Sequence, residues 1–360
     1  MLENSADGGA SWQEQPLTRT LAAADGTVAF APDGTLYQAG LVSFLGVFLH
    51  RGVPDRALGA ADVTLLSGSG VDKPWLSIDG RTGTAYVAYT GPTAGGHDGI
   101  LLWRSADSGS TSSETTVVAG PVLSDASGKQ VETGPFGAQT LIGTGGALAV
   151  TWIESAQPGV LTGDLGVSVR VASSTDDGRT FSAPKTVGQG WGYIAAAAQD
   201  GIYYIVSRRG QEQDQRLTVA TSRDAGRTWA TAPIGDGRRL YFDHSPAPGV
   251  GVAPDGTIDV AYYTAERQCL DPTVLARALQ QRQPWTVPCT YDVYYTYSKD
   301  GAKTWAAPKR LNASPIAGKD FVRIQGDSRP GEYIGVASTD HAAFPIWIDG
   351  TRADTVRVER

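Results

Sequence analysis

One phrase, Ser-x-Asp-x-Gly-x-Thr-Trp, recurs along this chain, and no other feature limits its fold so tightly. The cleanest copy runs from Ser222 through Asp224, Gly226 and Thr228 to Trp229. Others begin at Ser5, at Ser174 (with Phe181 as the aromatic) and at Ser298 (with Ala302 in place of Gly). A degraded copy, Ser105 to Thr111, lacks the aromatic. Repetition at intervals of tens of residues describes an array of one supersecondary unit stacked on itself. The phrase spells a tight β-hairpin turn. Its Asp accepts hydrogen bonds from nearby backbone N–H groups and hydroxyls. Its Gly permits positive φ. Its aromatic opens the outgoing strand and buries a ring beside the turn.

A second repeat lies upstream of each turn and reads strand, Asp-Gly-type turn, strand. It centres on Asp33-Gly34, Asp79-Gly80, Asp200-Gly201 and Asp255-Gly256, with Gly145-Gly146 in the remaining copy. Joined, the two repeats make a four-stranded antiparallel meander. Such units fall near 27–66, 73–119, 136–187, 192–235, 247–312 and 331–360. The last holds three strands, and the N-terminal strand Ser11 to Thr18 is free to complete it. Closing a ring removes exposed sheet edges. The expectation is an all-β, six-bladed β-propeller of four-stranded antiparallel blades, with the last blade closed by the N-terminal strand. Residues 1–360 are read as a single domain, with 270–288 as a loop insertion in the fifth blade.

Composition agrees and excludes alternatives. Charged residues are 19% of the chain and there are 45 Gly, unlike a coiled coil. Nine Trp, fourteen Tyr and eight Phe demand a core. The net charge of −7 gives no electrostatic case for binding nucleic acid. No apolar run approaches the ~20 residues of a membrane helix, so no membrane insertion is expected. The first residues hold neither a basic nor an apolar signal region, so a secretion signal, if the natural protein has one, is absent from this sequence. The four His and the Asp-rich turns lack metal-ligand spacing. No metal or cofactor is expected. Asp243-His244-Ser245 has the residue types of a triad, but a triad needs geometry from separate segments.

The turns resemble the Asp boxes, or BNR repeats, of the sialidase superfamily. The phrases Asp72-Lys73-Pro74-Trp75 and Gly331-Glu332-Tyr333-Ile334-Gly335 resemble segments of secreted, sialidase-like BNR proteins. This resemblance implies a secreted or cell-surface protein with a carbohydrate or glycoprotein ligand; the high Ala, Gly and Arg content points to a GC-rich bacterial genome, and a monomer is expected. It further implies a face where loops enter the innermost strands and leave the second strands. There the family binds its substrate carboxylate with arginines, which grip carboxylates bidentately. It attacks with a Tyr whose proton a neighbouring carboxylate removes.

On that pattern Tyr333 is the candidate nucleophile, Glu332 its assisting carboxylate and Asp72 the acid/base; Asp55 also lies in a loop able to reach. Arg208 and Arg267 suit the second and third arginines, with Arg209 an alternative to Arg208. Trp75, Tyr193 and Trp285 are candidate substrate-binding aromatics. Two elements depart from the pattern. The family's first-blade Arg-Ile-Pro has no counterpart near Val28 to Pro32, and its fourth-blade Glu meets Gly192-Tyr193. The functional expectation is a sialidase-like glycoside hydrolase acting on sialic acid or another acidic sugar. The alternative is a non-catalytic propeller that binds glycan or protein.

Structural readings stand beside these. Strand-end arginines serve as rim residues, Tyr333 as packing between blades, and Asp72 with Lys73 as a pair across a blade junction. The two cysteines, Cys269 and Cys289, flank the inserted loop. A bridge there stabilises by about 3 kcal/mol in the chain-entropy model; two buried thiols are the other reading. Within the insertion, Pro272 to Gln281 suits a short helix capped by Asp271, and Arg282 and Trp285 suit the rim of a pocket.

Overall fold

The computed structural model describes residues 2–5, 7, 11, 13–15, 23–42, 46–52, 63–68, 70–120, 122–124, 130–132, 134–155, 166–209, 216–235, 247–265, 290–317, 323–324, 327–328, 333–350 and 352–360. Among them all regular structure is strand, and no helix is long and apolar enough to cross a membrane. Six antiparallel sheets are arranged as a six-bladed β-propeller, and three two-stranded hairpins stand apart from them: Leu2–Asn4 with Gln13–Gln15, Val122–Ser124 with Gln130–Glu132, and Arg323–Ile324 with Asp327–Ser328. Blade one comprises Ala23–Phe30, Leu36–Val42, Val47–Gly52 and Val63–Leu65. Blade two comprises Asp72–Ile78, Ala85–Pro92, Asp98–Ser105 and Ser113–Ala119. Blade three comprises Pro135–Ile142, Leu148–Ser155, Gly166–Ser174 and Lys185–Trp191.

Blade four comprises Ala195–Gln199, Ile202–Arg209, Arg216–Ser222 and Ala230–Pro233. Blade five comprises Gly249–Val252, Ile258–Ala265, Thr290–Ser298 and Lys309–Arg310, with Ile316–Ala317 also on the third strand. Blade six comprises Gly335–Ser338, Ala342–Asp349 and two outer pieces, Arg352–Thr355 and Val358–Glu359, that pair the same neighbour. These blades match the expected units to within a few residues. The N-terminal strand differs from expectation: Gln13–Gln15 pairs Leu2–Asn4 in a hairpin of its own, while residues 352–359 supply the third position of blade six. The Ser5–Asp7–Ser11 turn explains the local pairing, since it folds the two strands directly onto each other.

The core lies between blades. Second strands are apolar along both faces because each blade is covered on both sides. Successive side chains alternate, so Tyr203 and Ile205 face blade three while Tyr204 and Val206 face blade five. Trp152 fills the cluster between blades two and three without exposure.

The repeated turns follow the expected chemistry. In blade four, Ser222 Oγ donates to Asp224 Oδ1 at 2.9 Å and accepts the Gly226 N–H at 2.9 Å. Asp224 accepts the Thr228 N–H and hydroxyl at 2.8 and 2.6 Å. Ala225 and Gly226 both have positive φ, the signature of a two-residue turn whose twist matches the strands. The terminal aromatics Phe181, Trp229 and Trp305 pack into the clusters between their own blade and the preceding one. The preceding blade also grips the turns of blades two to five. Arg51 donates to the Ser108 carbonyl, Arg104 meets Asp177, Ser173 donates to the Gly226 carbonyl, and Arg223 donates to the Gly301 carbonyl.

Candidate functional site

In such a meander the inner strands start at the end of each blade opposite the repeated turns. The inner strands of blades one to four are laced together. Thr27 Oγ1 accepts the Leu76 N–H at 3.0 Å, Ser77 donates to the Thr140 carbonyl, and Gln139 bonds both the Ile194 carbonyl and the Ala196 N–H. This lacing holds the strand starts in register around the axis.

Three of those strands carry a bulge near their start, where register shifts between Ala24 and Thr27, Asp72 and Trp75, and Phe136 and Gln139. Each bulge holds one residue in the left-handed region: Asp25 at φ 50°, Lys73 at φ 52° and Gly137 at φ 65°. For Gly this is free; for Asp and Lys it is strained. Lys73 is followed by Pro74, which further restricts its backbone.

The bulges aim side chains at one another. Lys73 Nζ lies 3.1 Å from Asp25 Oδ2, and both side chains are largely buried. The Lys73 N–H donates to Asp72 Oδ1 at 2.8 Å. Lys73 Nζ also sits 5.4 Å from the ring centroids of both Tyr193 and Tyr333, within cation–π reach. Tyr193 and Tyr333 stack at 6.4 Å, Trp75 tilts against Tyr333 at 6.1 Å, and Phe136 tilts against Tyr193 at 6.0 Å. Burial raises the Asp72 carboxyl above its ordinary value of 3.8; Lys73 opposes the rise and Asp25 adds to it. An acid form of Asp72 therefore persists to higher pH than in a free side chain.

Of the residues expected from sequence, Asp72, Trp75, Tyr193 and Tyr333 meet here. Asp72 is the first residue of an inner strand rather than a loop residue. The Lys73 ammonium reaches Asp25 on the neighbouring blade as well as acting on Asp72, because the left-handed turn at Lys73 sends it across the junction. Arg208 is the penultimate residue of the second strand of blade four and is buried, whereas Arg209, which ends the strand, is exposed. A Cβ at Gly192 would collide with the Arg208 guanidinium, so that Gly, at positive φ, makes room for it immediately before Tyr193. Glu332, Arg267, Trp285, Asp55, Arg282, the two cysteines and Asp243-His244-Ser245 lie outside the described residues.

Asp25 and Phe136 go unmarked in the sequence as site residues, and Lys73 is marked there only for a structural pairing with Asp72. The signals available are an Asp-Gly pair beside an inner strand and a Lys before Pro. Among the described residues, no three His, Cys, Asp or Glu side chains gather as metal ligands. A groove of about 280 Å³ lies between the outer strand of blade three and blade four, lined by Thr186, Gly188, Gln189, Arg209, Thr218 and Thr231. Its hydroxyls are already engaged: Thr186 with Arg170, Thr231 with the Val187 carbonyl, and Thr218 with Ser207.

No protein-family model and no curated protein matches the chain. Solved structures do. The BP39L lectin from Burkholderia pseudomallei matches at TM-score 0.59 and 12% identity, over 98% of this chain and 87% of its own. The GH93 α-L-arabinofuranosidase of Fusarium graminearum, solved with arabinobiose, matches at 0.55 and 12%, over 95% of each chain. The Hadza microbial sialidase Hz136 matches at 0.51 and 12%, over 94% of this chain and 66% of its own, so this chain spans about two thirds of that enzyme. The class these likenesses define is the sialidase-like β-propeller fold.

Proposed function

We propose that the protein is a sialidase-like glycoside hydrolase that removes sialic acid or another acidic sugar from extracellular glycans. One observation carries the reading: Tyr333 and Tyr193 close over Lys73, with Trp75 against Tyr333, beside Asp72, whose carboxyl is raised by burial above its ordinary value. Such a carboxyl suits a general acid. In this reading Tyr333 Oη attacks the anomeric carbon while Glu332 takes its proton, and Asp72 protonates the departing glycosidic oxygen. Water, deprotonated by Asp72, then displaces the sugar from Tyr333, whose departing oxygen takes its proton back from Glu332. Arg208 and Arg267 receive the sugar carboxylate; Trp75, Tyr193 and Trp285 bind its ring. The propeller neighbours, whose names include a sialidase and an arabinofuranosidase, support a carbohydrate ligand.

A second reading, a non-catalytic glycan-binding propeller, draws on the stacked Tyr193–Tyr333 pair, an aromatic face that serves binding without chemistry. Hydrolysis of a fluorogenic sialoside separates the two. Turnover that collapses in Tyr333→Phe supports the hydrolase and assigns the nucleophile. Absence of turnover on sialosides and other acidic exo-glycosides, with glycan binding retained, overturns the hydrolase in favour of the binder.

A further inference from the structure

We infer that Asp25 and Lys73 are positioning residues that set the protonation of Asp72 and seat the two tyrosines, forming with Asp72 one proton-holding unit across blades one and two. The inference rests on the hydrolase reading for its purpose, and on geometry for its substance. Two neighbouring blades each hold a non-Gly residue in the left-handed region at the same place in the inner strand, at φ 50° and 52°. Strain of this kind persists only where the surroundings over-determine it, and it collects at working sites. Here the two strained residues point their opposite charges at each other, 3.1 Å apart.

The unit has a division of labour. Among the described residues, Lys73 on its own strand and Asp25 from blade one are the charged groups acting on Asp72, with Tyr193 and Tyr333 closing over Lys73. Asp25, paired with Lys73, is the carboxylate whose negative charge discourages a second ionisation at Asp72. Lys73 limits that effect and keeps the two carboxyls from repelling outright. Its ammonium also lies equally far from both tyrosine rings, so the group that balances the carboxyls also orders the aromatic pair. Neither Asp25 nor Lys73 is assigned a role by the sialidase resemblance.

The test follows the Asp72 carboxyl directly by carbon-detected NMR titration, its resonance identified by its loss in Asp72→Asn. Asp25→Asn is expected to lower the Asp72 midpoint by about one pH unit, the scale of a like charge a few ångströms away. Lys73→Met is expected to raise it, and Lys73→Arg to restore it towards the parent. A purely structural ion pair would lower the melting temperature in Asp25→Asn and Lys73→Met while leaving the midpoint in place, and that result overturns the inference. Should Lys73→Met fail to fold, the near-isosteric Asp25→Asn decides alone. The readout is independent of turnover. A protein without hydrolysis whose Asp72 midpoint still moves keeps the proton-holding unit and loses the hydrolase; turnover with an immobile midpoint does the reverse.

Discussion

Aspartate does opposite work at the two ends of the blades. In the repeated turns Asp107 is exposed and Asp176 and Asp224 are half-buried, and the hydroxyl and N–H of the Thr four residues on lead a set of donors that hold each carboxyl down at about 2. Asp300 is held well below the ordinary range by the same arrangement. At the axis Asp72 has lost water without gaining comparable donors, and its carboxyl moves up. The residue type is the same; the count of donors against lost water sets the direction. A carboxylate ringed by donors is an anchor for a turn. A carboxyl short of donors is a store for a proton.

The sharpest way to break this contrast is to swap the axial carboxyl for an amide. On the hydrolase reading, Asp72→Asn lowers turnover by about 10²–10⁴-fold, measured on a fluorogenic glycoside, with the melting temperature close to the parent's. The turn end answers in stability instead. Ser222→Ala strips the buried Gly226 N–H of its acceptor, and chemical denaturation should show a loss of about 1–3 kcal/mol, with glycan binding at the axis unaltered.

Acid gives a milder separation. The turn carboxyls titrate lower folded than unfolded, so the stability they add is complete above 3.8 and drains away as pH falls through about 2. Asp72 has the opposite sign: its share is complete below 3.8 and is lost as pH rises through its raised folded value. Melting curves from about pH 5 to about pH 2 should therefore fall in the parent and fall less in Asp224→Asn. The smallest effect belongs to blade five, whose turn places Ala302 where the others have Gly, at φ 70°. Relieving that strain in Ala302→Gly is expected to stabilise by about 0.5–1 kcal/mol, against a loss for Gly226→Ala, where a Cβ would press on Ser173 Oγ.

The fold was legible because its information is local and repeated. Each turn phrase carries its own hydrogen bonds, and each second strand carries the double-sided apolar run that marks a blade packed on both faces. The ring's N-terminal side was less so, because a strand adjoining a strong turn pairs with the strand across that turn, as Leu2–Asn4 does with Gln13–Gln15. At the site, Tyr333 and Tyr193 could be placed because they lie just ahead of inner strands, and Asp72 and Trp75 because they belong to a phrase that resembles a recurrent family segment. Asp25 and Lys73 could not, since their meeting depends on two bulges in different blades, and a register shift leaves no mark in the amino-acid order. The burial of Arg208 beside exposed Arg209 was equally hidden: alternation says that one turns inward, and only the gap at Gly192 says which.

The grip of blades one to four on the next blade's turn has a consequence for how such a ring is copied. From Arg51 to Ser108, Arg104 to Asp177, Ser173 to Gly226 and Arg223 to Gly301, the donor always lies upstream and the turn downstream. A gene segment cut at blade boundaries would carry a donor without its turn and a turn without its donor. The heritable module that keeps a junction whole runs instead from the third strand of one blade to the turn of the next, out of phase with the sheets it builds.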